Sequence, residues 1–131
     1  MQTGGCFCGS VRYAVSGSPK FLCVCHCTSC RRATGVPGVP WGTFADTNFT
    51  LLGGSLAIHE SSPGVQRGFC RDCGTALTYA KATRPGEIDI TLGTLDEPGT
   101  WPPAMHIWVR DKLPWVAIGD DLPQWPTTAE P

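Results

Sequence analysis

Val65-Gln66-Arg67-Gly68-Phe69-Cys70-Arg71-Asp72-Cys73-Gly74-Thr75-Ala76-Leu77-Thr78-Tyr79 reads as two short strands joined by a metal-binding knuckle. Val65–Phe69 leads into Cys70, and Ala76–Tyr79 leaves Cys73 with the apolar and aromatic content of a strand. A Cys-x-x-Cys turn aims two sulfurs at one point, and Gly74 supplies the unrestricted backbone such a turn uses. Two thiolates are half of a tetrahedral zinc shell. The other half must come from elsewhere in the chain.

Working outward, Cys6-Phe7-Cys8 offers two more sulfurs, which share a face if the segment is extended. Cys6, Cys8, Cys70 and Cys73 are therefore expected to form a closed, structural zinc site tying the N-terminus to the middle of the chain. The remaining cysteines lie in Cys23-Val24-Cys25-His26-Cys27-Thr28-Ser29-Cys30. Phe21–Cys27 reads as a strand, followed by one short helical segment near Thr28–Thr34. Cys25 and Cys27 share a strand face and Cys30 follows one turn later. Three converging thiolates leave a fourth zinc position open, the pattern of a catalytic ion. Cys23 shares that face too, so a closed four-sulfur set is the alternative. Cys23 to Cys27 spans roughly 13 Å in an extended chain, however, which sets Cys23 apart as a spare. His26 should point to the opposite face. Disulfide pairing and two purely structural zinc ions are the competing readings of the eight cysteines.

The rest of the chain is consistent with a mostly β protein of one domain. Its 131 residues fit a single unit, 1–131, and 16 glycines with 12 prolines imply many turns. Ser10–Val15 reads as a strand with Val11, Tyr13 and Val15 on one face. Asn48–Leu52 and Leu56–Glu60 flank Gly53-Gly54-Ser55 as an expected hairpin. Glu87–Leu92 alternates as a half-buried strand, and Met105–Arg110 is another. From Asp120 the tail is expected on the surface, pinned at its near end by Trp115 and Trp125. Formal net charge is −1, with only Arg31 and Arg32 adjacent among the basic residues, so no nucleic-acid partner is expected. No stretch reads as a signal peptide or a membrane span. The expected location is cytoplasmic, where thiols stay reduced and metal is the common reason to keep eight of them.

Three motifs carry a family resemblance. Gly4-Gly5-Cys6-Phe7-Cys8-Gly9-Ser10-Val11-Arg12-Tyr13, Cys25-His26-Cys27-Thr28-Ser29-Cys30-Arg31-Arg32 and Phe69-Cys70-Arg71-Asp72-Cys73-Gly74 resemble those of the glutathione-dependent formaldehyde-activating enzyme family, which is related to centromere protein V. Leu95-Asp96, His106-Ile107-Trp108 and Lys112-Leu113-Pro114-Trp115 fit its ending, so the likeness covers about residues 4 to 125 in order. It implies a zinc-bound β fold of two facing sheets, often called a β-tent. It implies the same division of ligands, Cys6, Cys8, Cys70 and Cys73 against Cys25, Cys27 and Cys30. It also implies a carbon–sulfur lyase activity that joins glutathione and formaldehyde as S-hydroxymethylglutathione. Cys23 is not part of the family pattern.

The expected cofactor is therefore zinc, two ions per chain, with the second site weak enough to be partly occupied. The expected partners are a small thiol such as glutathione and a small aldehyde, with no membrane. An open zinc would bind the thiol as thiolate, while three thiolate ligands weaken its action as a Lewis acid. Arg31 and Arg32 are candidates to pair with glutathione carboxylates. His106 is a candidate acid or base, and Trp41, Trp108 and Trp115 are candidate pocket walls. A non-catalytic zinc module that binds protein or nucleic acid is the alternative function.

Overall fold

The computed structural model describes residues 1–129; Glu130 and Pro131, included in the 1–131 domain expectation, lie outside the described residues. The protein is mostly β, with two sheets and one α-helix. β1 (Gln2–Gly5), β2 (Arg12–Val15) and β5 (Phe49–Gly53) form a three-stranded sheet in the order β1-β2-β5. β3 (Phe21–Cys25), β4 (Val39–Ala45), β6 (Ala57–Ser62), β7 (Val65–Phe69), β8 (Ala76–Lys81), β9 (Glu87–Thr91) and β10 (His106–Ile107) form the larger sheet, ordered β10-β3-β4-β9-β8-β7-β6. β10 runs parallel to β3, and the other pairs are antiparallel. Helix α1 (Thr28–Thr34) follows β3 directly. No helix of the described residues is long and apolar enough to cross a membrane.

The core lies between the sheets. Val11, just before β2, and Tyr13 and Val15 on it meet Phe44, Leu77 and Ile90 from the large sheet, and Cys6 and Cys70 are buried in the same cluster. The alternation expected of Ser10–Val15 is present, yet Ala14 is buried as well. A second apolar cluster, Cys23, Cys25, Cys30, Val39 and Trp41, involves β3, β4 and α1. Glu87–Leu92 is not simply half-buried. Ile90 and Leu92 enter the core, while Asp89 is also buried, accepting a hydrogen bond from Thr43 Oγ1 at 2.6 Å and pairing with Arg84 at 2.7 Å.

Three local expectations change. Asn48–Leu52 and Leu56–Glu60 do not pair as a hairpin. β5 pairs with β2, where Phe49 stacks on Tyr13 at 5.4 Å, and β6 crosses to pair with β7. The glycines between them therefore join two sheets. Met105–Arg110 holds only a two-residue strand, because Trp108 turns into the left-handed region at φ 56°. The tail lies on the surface as expected and is docked there by backbone hydrogen bonds, but one of its expected pins is missing. His106 N–H donates to Pro123 O, Trp125 N–H to His106 O, and Trp108 N–H to Thr127 O, at 2.8–2.9 Å. Trp115 does not pin it, being 71% exposed.

A bidentate ion pair ties the small sheet to the segment after β9. Arg12 donates to both Asp96 carboxylate oxygens, and Thr3 Oγ1 donates to Asp96 Oδ2. The Arg12 guanidinium, and then the Thr3 hydroxyl, hold the Asp96 carboxyl down to about 2. Its unfolded value is about 3.9, so the stabilisation is in place above about pH 4 and disappears as pH falls through the folded value. Asp96→Asn should lower Tm modestly at pH 7, as befits a surface pair, and the gap from the wild type should close toward pH 2. Calorimetry across that range measures it; a gap that stays constant would place the effect outside this ion pair.

Candidate metal centres

Two turns build the first cluster. Cys6–Gly9 is not the extended segment expected from the alternation of Cys6 and Cys8, because β1 ends at Gly5 and Gly9 N–H donates back to Cys6 O at 3.2 Å. The second turn closes through Gly74 N–H to Cys70 O at 2.8 Å and Cys70 N–H to Thr75 O at 3.0 Å. Gly9 and Gly74 sit at φ 83° and 81°, a left-handed conformation that a side chain disfavours. The sulfurs of Cys6, Cys8, Cys70 and Cys73 all lie within 4.8 Å of one another. Cys6 Sγ is 3.6 Å from Cys8 Sγ, and Cys8 Sγ is 3.8 Å from Cys70 Sγ. A tetrahedron of sulfurs with ligand bonds of about 2.3 Å has edges of about 3.8 Å. The two contacts at 3.6 and 3.8 Å match those edges, so the set is consistent with a zinc-sized ion.

Polar neighbours suit thiolates here. Val11 N–H donates to Cys6 Sγ at 3.2 Å, and Ser10 Oγ lies 3.2 Å from both Cys8 Sγ and Cys70 Sγ. Thr75 Oγ1 is 3.2 Å from Cys73 Sγ, and this contact leads those that hold the Cys73 thiol down to about 5. Hydrogen bonds to ligand sulfurs fix their orientation and stabilise their ionised form.

The second cluster brings together Cys25, Cys27 and Cys30, again with sulfurs within 4.8 Å. Cys25 closes β3. Cys27 has already left the strand to cap α1, its sulfur accepting from Cys30 N–H at 3.3 Å. Convergence therefore comes from a helix cap, not from a shared strand face. The contact with Cys25, then that with Cys30, holds the Cys27 thiolate down to about 2, while the same Cys27 contact pushes the Cys25 thiol far above its ordinary range. Three soft donors at this spacing are also consistent with zinc. Cys23 is buried nearby but stands outside the trio, and its thiol is pushed up to about 12, by burial above all.

Cys25, Cys27 and Cys30 all line a cavity of about 690 Å³ on one face of the large sheet. A row of paired residues crosses that face: Arg67 beside Tyr79, Tyr79 beside Asp89, Asp89 beside Thr43, and Thr43 beside Phe21. Arg67 stands over the Tyr79 ring at 4.9 Å, with Arg84 5.7 Å from the same ring. Trp41 and Trp108 are walls. Trp108 is the one described non-glycine residue at positive φ, a conformation costing on the order of 1–3 kcal/mol and held here by the bond to Thr127 O. Apolar periodicity carries no trace of that strain.

Other expected contacts fall elsewhere. Arg31 and Arg32 do not line the cavity; the helical turn that directs Cys30 inward leaves Arg32 exposed. His106 does not line it either. It is buried behind β3, with Nδ1 2.9 Å from His26 Nε2 and Nε2 3.0 Å from Asp120 Oδ2. That chain anchors the docked tail, and it is where the opposite face predicted for His26 leads. Trp115 is not a wall, being exposed and absent from the lining. Arg67, Tyr79 and Arg84 went unnoticed in the sequence because nothing local distinguishes a cation on a strand from a solvated one.

The family model described as "Glutathione-dependent formaldehyde-activating enzyme" matches residues 1–111. Among solved structures, the chain resembles the crystal structure of a Rhodobacter sphaeroides protein, with a TM-score of 0.62 and 20% sequence identity over 94% of this chain and 98% of that one. At that identity the likeness bears on the fold.

The two clusters should differ in what they hold together. Cys6→Ser and Cys73→Ser break a link between distant segments buried in the core, so they should lower Tm far more than Cys25→Ser or Cys30→Ser. Cys23→Ala should keep its full metal content. Thermal melts with metal analysis decide both points. Equal losses from all four serine variants would make both clusters structural, and loss of one metal equivalent from Cys23→Ala would place Cys23 among the ligands.

Proposed function

Because the chain belongs to the glutathione-dependent formaldehyde-activating enzyme family, we propose that it joins a small peptide thiol such as glutathione to formaldehyde or another small aldehyde, a carbon–sulfur lyase reaction run toward synthesis. The observation that carries this reading is the three-cysteine cluster lining a cavity, with Cys27 half-buried and Cys25 and Cys30 buried, while the four-cysteine cluster is a closed set. Cys6, Cys8, Cys70 and Cys73 would hold a structural zinc. Cys25, Cys27 and Cys30 would hold a second, whose open position, when the ion is bound, favours a soft sulfur donor and its ionised form.

The chain's own residues do the rest. Trp41, Trp108 and Tyr79 give the cavity apolar walls that limit water around the sulfur. Lys81 is exposed at the cavity and within reach of a peptide thiol's carboxylates. Asp89, Glu87 and Arg84 are engaged with one another, which fixes the floor. The volume of about 690 Å³ lies in the range of small-molecule sites, roughly 300–1,000 Å³. Reduced thiols of this number accord with a cytoplasmic setting.

Calorimetric titration with glutathione and with S-methylglutathione tests the binding step. Glutathione should bind at least about tenfold more tightly than the capped form, a difference of about 1.4 kcal/mol. Equal binding of the two would show that sulfur does not anchor the ligand. Absence of binding at millimolar glutathione would remove glutathione as the substrate.

A further inference from the structure

We propose that Arg67 is a catalytic residue whose guanidinium stabilises the negative charge developing on the aldehyde oxygen as a thiolate adds to the carbonyl carbon. This rests on the thiol–aldehyde reading above and names the group that makes the addition fast.

Position is the first argument. Arg67 reaches from β7 across the cavity floor to the cysteine trio, with Nη1 and Nη2 each 3.7 Å from Cys30 Sγ. Nε donates to Ser61 Oγ at 3.1 Å, and the Tyr79 ring supports the guanidinium plane from 4.9 Å. The side chain is thus held at both ends beside the place where a substrate sulfur would sit. A donor fixed before the reaction needs no reorganisation as charge appears.

Charge is the second. Among the described residues, no carboxylate lies within ion-pair distance of Arg67. The neighbouring cations are engaged: Arg84 with Asp89 at 2.7 Å and Glu87 at 3.4 Å, and Lys20 with Glu87 at 3.6 Å. Lys81 also lines the cavity without a carboxylate partner, but Arg67 is the unpaired cation in contact with the trio, at 3.7 Å from Cys30 Sγ.

Distance then selects which anion. In the adduct the aldehyde oxygen is two bonds from the thiol sulfur, close enough for a group already touching Cys30. The carboxylates of a peptide thiol are several bonds farther out. A divalent ion among three thiolates has a formal site charge of −1, which weakens its pull on a carbonyl, so a fixed guanidinium beside the sulfurs supplies what that donor set lacks.

In the step itself, a sulfur lone pair forms the S–C bond and the C=O π pair moves onto oxygen. Arg67 hydrogen-bonds the resulting alkoxide, which then takes a proton from water to give the hydroxymethyl thioether. Nothing is oxidised or reduced. The reverse path releases aldehyde and thiol from the same contacts.

The test uses zinc-loaded protein with glutathione and formaldehyde, following adduct formation above the spontaneous rate. Arg67→Met should lower kcat by about a hundredfold or more, the usual effect of removing one oxyanion donor. Glutathione binding by calorimetry and zinc content should remain close to the wild type. Added guanidinium ion, or the Arg67→Lys variant, should restore part of the rate, and the lysine variant serves if the methionine one does not fold. A wild-type rate in Arg67→Met overturns the proposal while leaving the parent reading intact. So does loss of glutathione binding with kcat preserved, which would make Arg67 a carboxylate grip. A wild type that does not accelerate the reaction at all overturns the parent reading and this proposal together.

Discussion

Four sulfurs within 4.8 Å of one another, drawn from turns more than 60 residues apart, are the constraint on which this fold depends. Thiolates packed so closely repel unless they share a cation, and two of them, Cys6 and Cys70, are buried in the core between the sheets. A common ion would convert that repulsion into a cross-link. It would join the end of β1 to the turn between β7 and β8, and so the small sheet to the large one. With one face of the large sheet committed to this union, the opposite face is free to carry a cavity.

What occupies that second face follows from the pleat. Phe21, Cys23 and Cys25 on β3, Trp41 and Thr43 on β4, Glu87 and Asp89 on β9, Tyr79 and Lys81 on β8, and Arg67 on β7 all line the same hollow. The row is rich in charge: Arg84 pairs with Asp89 and Glu87, while Arg67 and Lys81 have no carboxylate partner among the described residues, and of these two Arg67 is the one that touches Cys30. Catalytic sites are places where a charge is kept uncompensated because the reaction will compensate it. The docked tail completes the wall, since its carbonyls accept the backbone donors of Trp108, Val109 and Arg110 and hold Trp108 in its strained turn.

Much of this was legible from short-range pattern. Alternation placed Val11, Tyr13 and Val15 in the core, the Cys-x-x-Cys knuckle predicted the β7–β8 hairpin, and cysteine spacing separated a set of four from a set of three. Pairing across sheets was not legible. Gly53-Gly54-Ser55 looks the same whether it closes a hairpin or lets the chain change sheets, and the Phe49–Tyr13 contact that decides it spans 36 residues. The same holds for side-chain roles. Arg31 and Arg32 drew notice by following a ligand, whereas Arg67 reaches the trio only through a strand order that sets β7 on the same sheet as β3, 37 residues on from Cys30. His106 was marked for its chemistry, but its partners His26 and Asp120 make it an anchor.

The central claim is that all seven of these cysteines are metal ligands and that one set is left incomplete for a substrate sulfur. Zinc K-edge X-ray absorption on the purified protein, without and then with glutathione, tests it most directly. The account predicts two zinc ions with sulfur at about 2.3 Å, seven protein sulfurs shared between them, and an eighth sulfur appearing when glutathione is added. A shell already holding eight sulfurs before any thiol is added, or one unchanged by glutathione, would contradict it.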